Sequence, residues 1–172
     1  MQVLRHQIHP DVFTPEELDK LLRAARKQIP QLRGSPLWLG DFQMQKWELD
    51  TAQIPGALVP FVAKLASVAP PPFPYNYVFL QRYEVGEGVR WHRDPRNNLW
   101  GTLIAPFGEY TGAETSIRYQ PEEEAETCQV LPGTALWLPC TVSGRQGPHH
   151  SVSNVTSGER WALILNTIHR ES

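Results

Sequence analysis

The sequence predicts a mostly β fold with N-terminal helices, in which the strands form a double-stranded β-helix, or jelly roll. From residue 75 onward, short β-rich runs are separated by Gly, Pro and Asn, which is the spacing typical of a double-sheet jelly roll. Before residue 72, two stretches carry apolar residues at helical spacing. We therefore expect a single domain over residues 1–172, with a helical support region at 1–72 and a jelly-roll core at 75–168.

The first helix has the clearest local signal. Thr14 is suited to an N-cap, Pro15 to the first helical position and Glu17 to the third position of a capping box. The apolar residues that follow at helical spacing are Leu18, Leu21, Leu22 and Ala25. This pattern predicts a helix over 15–28.

A second helix is predicted over 53–68. Its apolar face consists of Leu58, Phe61, Val62 and Leu65. The run at 69–72, APPP, is a helix stop signal. We expect both helices to pack on the outside of a sheet.

The strand-like runs include 77–80, 99–105, 115–119, 135–138 and 161–167. Trp137 and Trp161 lie in apolar runs of this kind, so we expect them to be core residues rather than platforms for stacking bases. The segment 121–126, PEEEAE, is typical of a solvated loop rather than a metal site.

The amino-acid composition disfavours some classes of function. The chain has 172 residues, 41% hydrophobic and 20% charged, which is ordinary for a globular protein. The net charge of −2 and the pI near 6.3 give no overall basic surface, so nucleic acid is not an expected partner, although a local basic patch stays possible. No apolar run approaches the ~18 residues of a membrane span, and the first residues lack the apolar core of a signal peptide. We expect a cytoplasmic protein with no membrane partner.

The two cysteines, Cys128 and Cys140, fit reduced residues better than a disulfide framework.

Four residues carry the chemistry. His92 and Asp94 are two apart, His150 follows 56 residues later, and Arg160 lies ten residues beyond His150. Side chains at i and i+2 of a strand share a face, so the first two could reach one ion. Two imidazoles and one carboxylate form the facial triad associated with non-heme Fe(II) oxygenases, a ligand set that also tolerates manganese, nickel or cobalt.

The surrounding motifs strengthen this interpretation. Residues 83–94 read YEVGEGVRWHRD and residues 150–161 read HSVSNVTSGERW. The first segment resembles the metal-binding stretch of 2-oxoglutarate/Fe(II) dioxygenases, and the second resembles their H-x-V-x-x-V-T-x-G-x-R ending. Between them, YTGAET at 110–115 and VLPGTALWL at 130–138 are similar to further segments of that superfamily. The resemblance covers about residues 75–168 and is greatest to prolyl 4-hydroxylase-like members, with AlkB-type demethylases more distant.

The resemblance implies roles for the site residues. His92, Asp94 and His150 would hold Fe(II), and Tyr83 would contribute a hydroxyl to the cosubstrate pocket. Arg160 would pair with the distal carboxylate of 2-oxoglutarate, because a guanidinium can meet a carboxylate through two parallel hydrogen bonds. O2 would be the second cosubstrate, ascorbate the reductant, and succinate and CO2 the products. The carboxylate at 94 favours hydroxylation over halogenation.

Other polar residues are weaker candidates. His149 is the rival for the third ligand position, but the spacing to Arg160 favours His150. Gln81, Asn166 and Thr102 occupy positions where relatives of the family contact cosubstrate. We expect the remaining histidines to be surface residues rather than ligands; these are His6, His9 and His169.

Substrate contacts are less specific. The segment after the first ligand could rim the opening above the metal; its residues are Trp91, Arg93, Arg96, Asn97, Asn98 and Trp100. Residues 34–41 lie where relatives place variable substrate-recognition elements. Whether residues 34–50 form a lid, and what oligomeric state the chain adopts, are left open.

Three functions compete. The leading one is hydroxylation of a peptidyl residue, an amino acid or another small metabolite. AlkB-like demethylation of alkylated nucleic acid is disfavoured, because AlkB-type enzymes carry Asn and Arg where this chain has Gln81 and Asn166. A non-catalytic, cupin-like metal binder would keep the triad but would have no use for Arg160.

Overall fold

A computed structural model describes residues 4–49, 52–68 and 75–170 of the chain. The helices are α1 (Pro15–Arg26) and α2 (Val59–Ala66), and a 3-10 helix spans Ile29–Gln31. The strands are β1 (Gln7–His9), β2 (Arg33–Gly34), β3 (Gln43–Glu48), β4 (Tyr77–Tyr83), β5 (Val89–His92), β6 (Asn98–Phe107), β7 (Tyr110–Gly112), β8 (Thr115–Arg118), β9 (Glu126–Cys128), β10 (Ala135–Pro139), β11 (His149–Val152), β12 (Val155–Gly158) and β13 (Arg160–Ile168).

The strands form two facing sheets. The large sheet has the order β1-β10-β6-β13-β4-β3-β2, the small sheet has the order β5-β11-β8-β9, and β7 pairs with β12. All of these pairings are antiparallel. Ile117 of the small sheet packs with Leu136 and Leu138 of the large sheet, so the space between the sheets is partly filled. The mostly β jelly roll with N-terminal helices is confirmed.

Strand β13 lies at the centre of the large sheet, between β6 and β4. Trp161, Leu163 and Leu165 are fully buried and pack in one cluster with Leu21 of α1 and Leu65 of α2. The residues between them face the small sheet instead, because side chains alternate along a strand. One face of β13 is therefore core, and the other face borders the space between the sheets.

The helices follow the predicted pattern with shorter bounds. Thr14 Oγ1 accepts from the Glu17 amide at 3.2 Å, and the Glu17 carboxylate accepts from the Thr14 amide at 3.1 Å, which completes the predicted capping box. Helix α1 ends at Arg26 rather than at 28. Helix α2 starts at Val59 rather than at 53, because Pro55 accepts a turn hydrogen bond from Leu58 and the chain forms turns there. The predicted stop signal at 69–72 lies outside the described residues.

The region before residue 72 is not purely helical, which corrects the predicted support region. Strand β1 pairs with β10 at one edge of the large sheet, and β3 pairs with β4 toward the other. The sequence QMQKWE of β3 has too few apolar residues to signal a strand. The five predicted strand runs are all present, as β4, β6, β8, β10 and β13, with somewhat different ends.

Several smaller predictions are also resolved. Trp137 and Trp161 are buried, and residues 121–125 form an exposed loop, although Glu126 begins β9. Both cysteines are free and buried. Within the described part of the chain, neither helix has the length and apolar character needed to cross a lipid bilayer.

Candidate metal centre and cavity

Two of the predicted ligands face each other across one strand pair. His92 ends β5, and His150 lies on the neighbouring strand β11, where the two residues are register partners. Their rings are 4.2 Å apart between centroids. The antiparallel pairing of β5 with β11 thus brings together two histidines that are far apart in the sequence.

Hydrogen bonds fix the orientation of both imidazoles. His92 Nδ1 lies 2.7 Å from the carbonyl of Arg90, and His150 Nδ1 lies 3.1 Å from the carbonyl of Pro148. A carbonyl can only accept, so each Nδ1 carries a proton and Nε2 is the nitrogen available to a metal. This is the arrangement that a metal-binding histidine requires, with the second nitrogen held by an outer partner.

Asp94 is positioned by a loop rather than by a strand. Strand β5 ends at His92, so the strand geometry assumed from the sequence does not extend to Asp94. Instead, Thr102 Oγ1 and Cys140 Sγ each donate to Asp94 Oδ2 at 3.2 Å. Gln146 Nε2 donates to the Asp94 carbonyl at 2.7 Å. These contacts leave Oδ1 directed at the two histidines.

The three ligand atoms converge. Asp94 Oδ1 is 3.5 Å from His92 Nε2 and 3.6 Å from His150 Nε2, and all three atoms lie within 4.8 Å of one another. Burial disfavours the charged form of Asp94, but the neighbouring His150 and His92 outweigh burial and hold the pKa of Asp94 below its usual range. Burial also disfavours the charged form of His150, and this lowers the pKa of His150. One carboxylate oxygen and two imidazole nitrogens form a donor set suited to a divalent metal ion.

His149 does not belong to this group. It pairs with Arg118 on β8, and successive side chains on β11 point to opposite sides of the small sheet. Burial lowers the pKa of His149, and the charges of Arg93 and Arg118 lower it further. The structure thus places His150, and not its neighbour, with His92 and Asp94.

A cavity of about 630 Å³ lies between the sheets and contains the three ligands. Tyr83 and Arg160 line the same cavity, so all five predicted site residues share it. Its walls also include Phe79, Ile104 and Ile164, which make them partly apolar. The metal-ligand cluster and the arginine therefore face one shared cavity.

Arg160 is buried in this cavity, with 3% of its surface exposed. Among residues 4–49, 52–68 and 75–170, no carboxylate forms an ion pair with it, and its Nε has no hydrogen-bond partner. The guanidinium lies 4.9 Å from the centroid of the Tyr83 ring. Tyr83 and Tyr110 hydrogen-bond with the guanidinium, but neither supplies a negative charge. A buried charge without a counter-charge is costly, so this arrangement fits an anionic ligand.

Two tyrosines border Arg160. Burial raises the pKa of Tyr83 to about 12, and burial also raises the pKa of Tyr110. Both hydroxyls therefore stay protonated at neutral pH and can donate. The Tyr83 hydroxyl donates to Oε1 of the Gln81 side chain.

The weaker cosubstrate candidates also line the cavity. Gln81, Thr102 and Asn166 all do so, and Asn166 Oδ1 is buried without a hydrogen-bond partner among the described residues. Thr102 has a structural task as well, since it donates to Asp94.

The predicted rim is only partly correct. Asn97 and Asn98 line the cavity, as do Pro36, Trp38 and Leu39 from the predicted recognition segment 34–41. The other predicted rim residues do not line it; these are Trp91, Arg93, Arg96 and Trp100. Trp91 lies beside the Arg118 guanidinium, and Trp100 packs against Trp137. For Trp91 the reason is alternation, because it directly precedes the ligand His92 on β5 and points to the opposite face.

Sequence reasoning missed several supporting residues. Cys140 and Gln146 hold Asp94, Tyr110 adjoins Arg160, and Trp38 contacts the His92 ring edge-on at 5.8 Å. Each contact joins residues that are far apart in the sequence, so no local signal could have shown them.

Comparison by sequence finds no matching family model and no matching curated protein. Comparison by structure finds clear similarities. A prolyl-4-hydroxylase of Pseudomonas putida superimposes with a TM-score of 0.73 at 12% identity, over 95% of this chain and 92% of that one. An oxidoreductase of the 2OG-Fe(II) oxygenase family from Burkholderia pseudomallei gives a TM-score of 0.68 at 15% identity, over 97% and 88%.

A third similar structure is a prolyl hydroxylase from Trichoplax adhaerens, in complex with a peptide fragment of the hypoxia inducible factor oxygen degradation domain. It gives a TM-score of 0.65 at 10% identity, over 95% of this chain and 83% of that chain. The chain therefore has the fold of 2-oxoglutarate/Fe(II) oxygenases, prolyl hydroxylases among them.

Proposed function

We propose that this protein is an Fe(II)/2-oxoglutarate-dependent dioxygenase that hydroxylates a C–H bond of a peptidyl residue, an amino acid or a small metabolite, with release of succinate and CO2. The observation that carries the proposal is the buried guanidinium of Arg160, which has no carboxylate partner among the described residues and lies in the same cavity as the convergent His92, Asp94 and His150. A metal site alone would need no buried arginine beside it, whereas 2-oxoglutarate needs both a metal and a cation.

The three ligands would hold Fe(II). Each histidine presents Nε2 because its Nδ1 proton is donated to a backbone carbonyl. Asp94 contributes the negative charge through Oδ1, while Thr102 and Cys140 occupy Oδ2. Bound iron would supply the activation of O2 that is coupled to decarboxylation of 2-oxoglutarate and oxidation of substrate.

Arg160 would bind the distal carboxylate of 2-oxoglutarate. Its burial places the ion pair away from water, where charge-assisted hydrogen bonds are strongest. Tyr110 flanks it with a protonated hydroxyl that can donate to the same carboxylate, and Tyr83 could do so by exchanging its Gln81 acceptor for the carboxylate. These side chains would fix the orientation of the cosubstrate relative to the metal ligands.

The remaining cavity walls would exclude water and admit substrate. Phe79, Ile104 and Ile164 form an apolar lining near the cosubstrate. Trp38 and Asn97, at the side of the metal ligands, would contact the substrate. The peptide bound to the Trichoplax adhaerens enzyme supports a peptide as one substrate class. Nothing favours nucleic acid, given the net charge of −2.

Succinate formation from 2-oxoglutarate tests the proposal. Purified protein is incubated with Fe(II), ascorbate, O2 and 2-oxoglutarate, and succinate is measured for wild type, His150→Ala and Arg160→Ala. Arg82→Ala is the matched control, because Arg82 is a partly buried arginine on the neighbouring strand that lies outside the cavity. We expect turnover in the wild type and the control and its loss in both cavity variants.

Turnover without substrate can be slow, so binding of 2-oxoglutarate is measured as well. The Fe(II)-loaded protein is titrated with 2-oxoglutarate under nitrogen, and the visible absorption of the complex is recorded. If neither succinate formation nor 2-oxoglutarate binding is observed in the wild type, the proposal is wrong and a metal-binding jelly roll without oxygenase activity remains.

A further inference from the structure

A second group of metal-ligating side chains lies outside the cavity. It consists of His6, Glu126 and Cys128, whose ligand atoms also lie within 4.8 Å of one another. His6 directly precedes β1, at an edge of the large sheet, and the other two residues are the ends of β9, at an edge of the small sheet. The group therefore links the two sheets.

The distances match those of a tetrahedral metal site. His6 Nε2 lies 3.6 Å from Cys128 Sγ and 3.4 Å from Glu126 Oε1, and the sulfur and the carboxylate oxygen are 4.0 Å apart. Zinc bonds of about 2.3 Å to sulfur and about 2.0 Å to nitrogen, at a tetrahedral angle, separate those two atoms by about 3.5 Å. The sulfur–nitrogen pair is already at ligand spacing, and Glu126 is exposed enough to adjust.

Tyr119 orients the histidine of this group. The Tyr119 hydroxyl accepts from the His6 amide at 2.7 Å and lies 3.0 Å from His6 Nδ1, and the two rings are stacked. With Nδ1 engaged by tyrosine, Nε2 is the nitrogen that faces Cys128 and Glu126. A metal-binding histidine usually has an outer hydrogen-bond partner of this kind.

We propose that His6 Nε2, Cys128 Sγ and the Glu126 carboxylate bind a divalent, sulfur-tolerant cation such as Zn²⁺, with water in the fourth position. Binding replaces the proton of the Cys128 thiol with the metal and releases that proton to solvent. The mixed S, N and O ligand set suits zinc better than the iron expected in the cavity, because a thiolate is the softer ligand. This site is independent of the proposed oxygenase activity.

The bound ion would cross-link the segment before β1 to strand β9. The same segment also contacts Tyr119, which follows β8, through the His6 amide and the Arg5 guanidinium. A ligand that binds only the folded state raises its stability in proportion to the logarithm of its concentration. A metal-free hydrogen-bonded cluster is the competing interpretation. A reactive thiolate is disfavoured, because burial and then Glu126 raise the pKa of Cys128.

Cobalt titration distinguishes these interpretations. Co²⁺ bound to a thiolate gives a sulfur-to-metal charge-transfer absorption in the near ultraviolet, which ligation by histidine and carboxylate alone does not give. The titration uses wild type, the cavity variant His92→Ala/His150→Ala, Cys128→Ser and the matched control Cys140→Ser, which changes the other buried cysteine. Zn²⁺ competition then gives the affinity.

We expect the charge-transfer absorption in wild type, the cavity variant and Cys140→Ser, and its loss in Cys128→Ser. Glu126→Gln, at an exposed position, should weaken Zn²⁺ binding by ~10-fold or more while leaving 2-oxoglutarate turnover unchanged, and Tyr119→Phe should weaken it by roughly 10-fold. Absence of the absorption in wild type would overturn the proposal, as would its loss in Cys140→Ser with retention in Cys128→Ser.

Discussion

Two arginines on neighbouring strands have opposite environments. Arg82 of β4 and Arg160 of β13 are one register position apart, so they point to opposite faces of the large sheet. On the helix side, Arg82 donates from Nε and Nη2 to Glu159 at 3.0 and 2.7 Å. On the cavity side, no carboxylate in the described part of the chain pairs with Arg160, although it is the more buried of the two.

The difference shows which face of the large sheet has its buried charge paired without a ligand. The helix side satisfies its cation with a residue of its own, and its apolar side chains fill one cluster. The cavity side keeps a buried cation without a counter-charge and an Asn166 oxygen without a hydrogen-bond partner among the described residues, groups that cost stability unless a ligand binds them. Substitutions on the helix side should therefore change stability, and those on the cavity side should change activity.

The largest effect is expected at the metal ligands. Asp94→Asn keeps the shape of the side chain but removes the negative charge, so we expect succinate formation to fall by ~1000-fold or more, equivalent to about 4 kcal/mol. The thermal midpoint of the metal-free protein should change little. A variant with wild-type turnover would exclude Asp94 as a ligand.

Next comes the core face of β13. Leu163 is fully buried, and Leu163→Ala should lower the free energy of unfolding by about 2–5 kcal/mol, measured by urea denaturation. The neighbouring Ile164 faces the cavity, so Ile164→Ala should cost clearly less. Equal losses at both positions would contradict the division into two faces.

Arg160 should affect binding of the cosubstrate more than folding. Hydrogen bonds to charged groups contribute about 1.5–3 kcal/mol, so Arg160→Ala should raise the KM or Kd for 2-oxoglutarate by roughly 10- to 150-fold. Arg160→Lys should recover part of this loss, because it restores the charge but not the two parallel hydrogen bonds. The stability of the variant, measured without 2-oxoglutarate, should equal or exceed that of the wild type.

The smallest effect is expected from Glu159→Gln, which removes the charge that pairs with Arg82. Burial raises the pKa of Glu159, but hydrogen bonds from Trp161 and Arg82 outweigh burial, and the pKa is lowered overall. The stability from ionised Glu159 is thus complete above the ordinary glutamate pKa and is lost as the pH falls through the lowered one. Since the pair is partly exposed, Glu159→Gln should cost up to about 1 kcal/mol at neutral pH. A cost that persists in acid would contradict this assignment.

Local signals allowed the first helix and the strand-rich half to be predicted. Thr14, Pro15 and Glu17 carry the whole helix start within four residues, and the structure shows the capping box they imply. Ranges such as 161–167 are apolar enough to indicate strands by themselves. The triad and Arg160 were found by spacing within motifs, and the structure gathers them in one cavity.

The remaining features depend on contacts between distant residues. Strand β3 is polar and becomes a strand only through pairing with β4. His6 was expected at the surface, yet its side chain is only 10% exposed, because pairing of β1 with β10 brings it to Tyr119 and Cys128, 122 residues away. Cys140 reaches Asp94 in the same non-local way. No pattern within a short window contains such information.

The position of β13 sets the order of events during synthesis of the protein. It is the last of the described strands in the sequence, yet it forms the centre of the large sheet, between β6 and β4. During synthesis, the flanking strands β4 and β6, together with His92 and Asp94, are therefore complete well before β13, the strand that joins them. Until residue 168 has been made, the two halves of the sheet stay unjoined and their edges stay open to other chains.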